Sequence, residues 1–209
     1  VIDIVEQINA VRRQVGSRTL EAGQARVVTI GQQYDAEIAD VWDALTNPDR
    51  IPRWFLPISG DLRPGGSYQL EGNASGKIER CDPPNSFAAT WEAGGVVSWI
   101  EVRLTAEPGG GTRFELDHIN PEDEKWAEFG PGAVGVGWDL ALVGLTRHLA
   151  TGASVPPGDG LAWLGSAEGR QFVARSSERW GAANVAAGSD RAAADAATER
   201  TTAAYTLPG

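Results

Sequence analysis

Between Ile58 and Asn120 the chain breaks into five short runs, 58–62, 66–72, 75–81, 86–93 and 96–106, with a sixth at 111–119 after Pro108-Gly-Gly-Gly111. Gly, Pro and Asn separate them. Consecutive strands joined by turns of two to five residues can pair only as an antiparallel meander. Alternation then assigns faces. Tyr68 and Leu70 share one side of their run, as do Phe87, Ala89 and Trp91, then Ile100, Val102 and Leu104, then Phe114, Leu116 and His118. The opposite sides carry Gln69, Glu71, Thr90, Glu92, Glu101, Arg103, Arg113, Glu115 and Asp117. Such a sheet has one wet face and one covered face.

The cover must come from a helix, and the spacing predicts one from about Pro131 to Leu149. Val134, Trp138, Leu142, Leu145 and Leu149 form its apolar stripe, beside a second stripe of Gly137, Ala141, Gly144 and His148. A glycine inside a helix costs about 1 kcal/mol against alanine. Small residues repeated there therefore imply close approach to the sheet or room for a guest.

Upstream, Ile4, Ile8, Val11 and Val15 fall at helical intervals, which predicts an amphipathic helix over residues 3–15. The turn at Glu21-Ala-Gly23 and the β-branched run Arg26-Val-Val-Thr-Ile30 predict a strand from Thr19 to Tyr34. A second helix follows over 35–45, stopped by Asn47-Pro48, and residues 48–55 read as a short helix or turn carrying two aromatics. Downstream of the linker 151–160, Ser166 is placed to cap a helix reaching about Ala187 with Phe172, Val173, Ser176, Trp180 and Ala183 inward. Ser189-Asp190 opens an Ala-rich helix ending near Ala204. The expected organisation is an N-terminal helix (1–16), a central domain (17–153) and a C-terminal helical extension (154–209).

Tyr34-Asp-Ala-x-x-x-x-Val-Trp-Asp-Ala-Leu45, Pro52-x-Trp-Phe55, Arg63-Pro-Gly-Gly66, Pro83-Pro84, Thr90-Trp91 and Gly110-Gly-Thr-Arg-Phe-Glu-Leu-x-His118 occur in that order. As a string they resemble the START-like (SRPBCC) superfamily, and within it the homologues of the heat-shock ATPase activator, over residues 25–150. The first helix and the segment beyond about 155 look like the longer actinobacterial members. The resemblance implies an α+β helix-grip fold, a curved antiparallel sheet wrapped around a long C-terminal helix, with extra N- and C-terminal helices. It also implies an apolar cavity between sheet and helix that binds a small hydrophobic molecule. The alternatives are a polyketide cyclase or dehydratase, and a protein-interaction module, either co-chaperone-like or a homodimer built on the terminal helices. A fold alone does not choose among them.

Trp54, Phe55, Tyr68, Trp91, His118, Trp126, Phe129, Trp138 and Ala141 are the nine expected ligand-binding positions, because they fall on or near faces that would line such a cavity. His118, on the covered side of its strand, is the one catalytic candidate and the cavity's expected polar feature. In a cyclase it would work with Tyr68 or Glu101. Its alternative is a buried histidine whose nitrogens are satisfied by hydrogen bonds. His148, near a helix C-terminus, is placed to cap carbonyls. No histidine spacing fits a metal site and no phosphate loop is present, so no metal or cofactor is expected. Asn120-Pro121 ahead of Glu122-Asp-Glu124 reads as a helix start rather than a pair of catalytic acids.

Charge narrows the partners. With 18 Lys+Arg against 28 Asp+Glu the net charge is −10, which disfavours nucleic acid and anionic membranes. No apolar run is long enough to span a bilayer. The single cysteine, Cys81, allows no internal disulfide, and a cytoplasmic location is expected. The chain has no methionine, so Val1 is expected to follow residues upstream in the translated protein.

Overall fold

The structure is a computed structural model and describes residues 3–21, 23–156 and 158–206. The chain runs α1 (Ile4–Ala10), β1 (Arg12–Leu20), β2 (Gly23–Tyr34), α2 (Ile38–Thr46), α3 (Ile51–Trp54), β3 (Ile58–Gly60), β4 (Ser67–Leu70), β5 (Ser75–Asp82), β6 (Ser86–Ala93), β7 (Val96–Ala106) and β8 (Thr112–Pro121). It continues through α4 (Glu124–Phe129), α5 (Gly132–Thr151), α6 (Asp159–Leu164), α7 (Ala167–Ala186) and α8 (Arg191–Thr206). One curved antiparallel sheet has the order β1-β2-β8-β7-β6-β5-β4-β3, so the meander is intact and only β8 leaves sequence order to pair with β2. This is the helix-grip arrangement: the sheet's inner face holds α5.

The alternation read from sequence sets the faces. Tyr68, Leu70, Ala89, Ile100, Val102, Leu104, Phe114 and Leu116 are buried. On the outer face Glu101, Glu115 and Asp117 are interleaved with arginines: Arg103 Nη2 lies 2.6 Å from Glu115 and 2.9 Å from Asp117, Arg18 lies 3.1 Å from Glu101, and Arg12 pairs with Glu115. Such exposed pairs contribute about 0–1 kcal/mol each. The inner face supplies the stability.

The N-terminal helix is shorter than its spacing implied. It ends at Ala10, and residues 12–20 form an edge strand paired with β2 in the register Arg12↔Gly31 to Leu20↔Gly23. A separation of four residues, as between Val11 and Val15, keeps a side chain on one face of a helix and equally on one face of a strand. The deciding residue is Arg13. It shares parity with Val15 and points inward, because Asp139 on α5 receives it: Arg13 Nη2 is 2.7 Å from Oδ1 and Nε is 2.9 Å from Oδ2. Between β1 and β2, Ala22 lies outside the described residues.

Asp139 is only 1% exposed and also accepts from Ser176 Oγ at 2.6 Å and Trp180 Nε1 at 2.9 Å, both on α7. One carboxylate thereby ties β1, α5 and α7 together. Val173 and Trp180 of α7 belong to the principal core with Val28, Ile30, Leu142 and Leu145. The glycines of α5 follow from this packing. A Cβ on Gly135 would overlap the Trp180 indole, and one on Gly144 would overlap the Trp54 carbonyl. The close approach is thus to helices on either side of α5, not to the sheet.

Two caps also differ from expectation. β8 continues through Pro121, and the cap of α4 is Asp123, whose carboxylate accepts from the Trp126 amide at 2.9 Å; Asn120 does not cap it. His148 does not bond the helix's own last carbonyls. Its Nδ1 lies 3.0 Å from the Ala153 carbonyl beyond the helix, and its Nε2 accepts from Arg50 Nε at 3.3 Å. Ser166 caps α7 as the sequence indicates, accepting from the Gly169 amide at 3.0 Å.

Candidate functional site

Between the inner face of the sheet and α5 lies a cavity of about 130 Å³. Its floor is the inward set of β4–β8, with Tyr68, Leu70, Ala89, Trp91, Ile100, Val102, Phe114 and Leu116. Its roof is Trp138, Ala141, Leu142 and Leu145, one face of α5. The end wall is built by Leu45, Ile51, Trp54 and Phe55, which the α2–α3 turn swings across the sheet. Thr46 and Phe87 also line it, and Ile58, Leu62, Ile78 and Cys81 complete the lining; these last four are half-buried, so the cavity approaches the surface at the β3–β5 edge.

None of the 22 lining residues is charged. The few polar groups are already engaged. Tyr68 OH donates to the Thr90 carbonyl at 2.6 Å, and Thr46 Oγ1 to the Trp42 carbonyl at 2.8 Å. Burial, with the Glu92 charge adding to it, raises the Tyr68 phenol well above its ordinary pKa. Burial, and then Asp82, also push the Cys81 thiol up, which leaves it a poor nucleophile.

Six of the nine expected ligand-binding positions lie in this lining: Trp54, Phe55, Tyr68, Trp91, Trp138 and Ala141. Trp126 and Phe129 do not. They sit on α4, where Trp126 packs on the core edge with the Arg26 guanidinium 6.0 Å from its ring centre, and the Phe129 carbonyl accepts from Thr201 Oγ1 of α8 at 2.8 Å. Their aromatic character put them among the expected lining residues, but α4 packs on α5 and α8 and adds nothing to the cavity wall. The aliphatic lining went unmarked, although the inward parity of Leu70, Ile100 and Val102 was available as a signal. Nothing in an aliphatic side chain distinguishes cavity wall from packed core.

His118 is 3% exposed and does not line the cavity; it stands one layer behind Trp91 and Trp138. Trp138 Nε1 donates to its Nδ1 at 2.9 Å, and its Nε2 lies 2.8 Å from Ser98 Oγ, which donates to the Trp91 carbonyl at 3.0 Å. An indole N–H can only donate, so Nδ1 is the acceptor and Nε2 carries the proton. Burial lowers the pKa of this imidazole to about 4, so it is neutral at physiological pH. Both nitrogens are occupied. The partners that acid–base chemistry would require are elsewhere: Tyr68 is bonded to Thr90, and Glu101 is on the outer face with Arg18. The C-terminal helices contribute nothing to the lining; α7 and α8 pack on the far side of α5. Among the described residues no three His, Cys, Asp or Glu side chains gather where a metal could sit, and no helix is long and apolar enough to cross a membrane.

An antiparallel sheet gripping a long helix over an apolar cavity defines the START-like class. The sequence model of the Activator of Hsp90 ATPase homolog 1-like proteins matches residues 35–150, and the chain belongs to this family. It is similar to CalU16 from Micromonospora echinospora. The crystal structure of that protein is 39% identical with a TM-score of 0.69, covering 83% of this chain and 98% of CalU16. The solution structure is 38% identical with a TM-score of 0.74, covering 86% and 97%. The likeness therefore extends into segments outside the family model. DynU16, a protein of the dynemicin biosynthetic locus, shares the fold at 21% identity and a TM-score of 0.55, over 61% of this chain and 48% of its own. No curated protein matches the chain.

Proposed function

We propose that the chain binds a small, neutral, apolar ligand between the sheet and α5, with no chemical step of its own. The observation that carries this reading is the lining: 22 residues, none charged, seven of them aromatic, with the two hydroxyls turned away into backbone bonds. Moving an ionised group into such surroundings costs several kcal/mol without a partner. An apolar wall with no free polar group therefore selects neutral molecules. Size supports the same reading. An engineered apolar cavity of roughly 150 Å³ accepts a benzene ring, and the space here is about 130 Å³. The guest is a one-ring molecule, or the one-ring apolar end of a larger one reaching in from the β3–β5 edge.

The test uses N-phenyl-1-naphthylamine, a neutral dye whose emission brightens and shifts to the blue in apolar sites. The dye's phenyl end matches the one-ring space, and the expected result is saturable 1:1 binding, displaced by toluene and at least tenfold more weakly by benzoate. Ala141→Phe should fill the roof and weaken the dye at least tenfold; Ala141→Leu provides the milder filling if the larger side chain disturbs folding. No saturable binding, or binding insensitive to both substitutions, overturns the reading.

A further inference from the structure

His118 is the buried histidine with both nitrogens hydrogen-bonded that the sequence offered as the alternative, and its surroundings give it a further role. Trp138 is the roof residue that reaches from α5 down to the sheet. Its indole touches three other rings: Trp91 with centroids 5.1 Å apart, His118 at 5.9 Å, and Phe55 stacked at 6.3 Å with planes 23° apart. None of the carbon contacts fixes which way an indole is turned. The hydrogen bond to His118 Nδ1 does, because it is the one polar contact of the ring. That acceptor is oriented in turn. Ser98 Oγ holds Nε2, the Trp91 carbonyl holds Ser98, and Trp91 stands edge-on to the imidazole at 5.9 Å. The neighbours of His118 in the sheet, Val28 on β2 and Ile100 on β7, offer no competing polar group.

We propose that His118 is a positioning residue for the cavity. Through the chain Trp91 carbonyl, Ser98, His118, Trp138 it holds one roof indole in a single orientation and so sets the shape that a ligand must match. This rests on the reading of the cavity as a ligand site. Losing the acceptor would leave a buried indole N–H unpaired, and the ring would turn toward another acceptor at the expense of the cavity. A mobile roof residue must be ordered each time a ligand binds, whereas an anchored one has been ordered by folding.

Side-chain geometry provides the test. Asn at position 118 puts an amide oxygen where Nδ1 lies and so keeps the acceptor for Trp138. Gln puts its amide nitrogen where Nε2 lies, keeping the Ser98 contact and losing the one to Trp138. If His118 served packing alone, Gln, the nearer in volume, would be the better replacement. The indole N–H signals of the full chain are recorded by ¹H–¹⁵N NMR, with Trp138→Phe identifying the Trp138 signal, and N-phenyl-1-naphthylamine affinity is measured in parallel. We expect the Trp138 signal to keep its position and slow solvent exchange in His118→Asn, and to move and exchange faster in His118→Gln and His118→Phe. Dye affinity should stay within threefold in the Asn variant and fall at least tenfold in the other two. A wild-type chain that binds the dye, with all variants binding it equally or Gln outperforming Asn, overturns the inference. A wild-type chain that binds no dye overturns the ligand reading instead, and the indole signals still report whether His118 fixes the ring.

Discussion

At the scale of single residues, two buried polar groups govern how the protein answers to pH and to substitution. His118 is neutral in the fold with a pKa of about 4, against 6.5 in an unfolded chain. Between those values the unfolded state binds more protons, so stability rises with pH across that window. The contribution is complete above about pH 6.5 and is lost as pH falls through 4, on the order of 3 kcal/mol in all. The groups facing the ring, Ser98, Trp91 and Trp138, do not titrate there. Urea midpoints at pH 7 and pH 4.5 should therefore differ less in His118→Asn than in the wild type. Asp139 is the second group. Replacing it by Ala leaves Arg13, with a side chain 5% exposed, buried without its carboxylate, and unfolding free energy should drop by about 3–5 kcal/mol. Arg13→Met combined with Asp139→Leu should recover much of that loss, which a chemical-denaturation cycle would show. Sequence placed both histidines on the right elements, because strand parity and helix spacing are local. It could not place Arg13 inward, since the reason is a carboxylate 126 positions away.

At the scale of elements, the strands from Ile58 onward were legible almost to the residue, whereas the first 20 residues were not. Alternation marks a strand when one face is wet throughout. β1 lies at the sheet edge against α7, with Gly16 and Ser17 exposed and only Val15 fully buried, so its pattern is too thin to overrule a helical spacing. The glycines of α5 gave a correct signal of close approach but not its direction. Gly144→Ala should gain about 1 kcal/mol of helix propensity and still lower the melting temperature, because the new methyl meets the rigid Trp54 carbonyl. The same push moves the end wall, so dye affinity should change with it. Gly160→Ala in α6 has open space and should be neutral or stabilising, which makes it the control for propensity in the same melting experiment.

At the scale of the whole molecule, the sequence divides the chain more sharply than the packing does. Composition changes after Thr151, yet Val173 and Trp180 fill the principal core, and Trp180 is wholly buried against α5. Trp180→Ala should cost about 3–5 kcal/mol, as a vacated core aromatic does. A chain ending at Gly152 should lose cooperative unfolding, because it would expose that face of α5 together with the Arg13–Asp139 pair. A sharp calorimetric transition for the truncated chain would refute this. The cavity itself could be expected from the helix-grip plan but not measured, since its volume is the small remainder left by long-range packing.

Because α5 is held on both sides, by the cavity on one and by α7 and α8 on the other, the pocket has one fixed wall and one adjustable wall. A change on the helix must satisfy two neighbours at once. Ile78, Ala89 and Ile100 reach the cavity from strands whose other face carries exposed ion pairs, so a change there must suit the cluster around Tyr68 and Leu70 but no helical layer behind it. Evolution or an engineer seeking a different guest would therefore find its freedom in the sheet, and a comparison of natural variants should show ligand range drifting there while the helix stays constant.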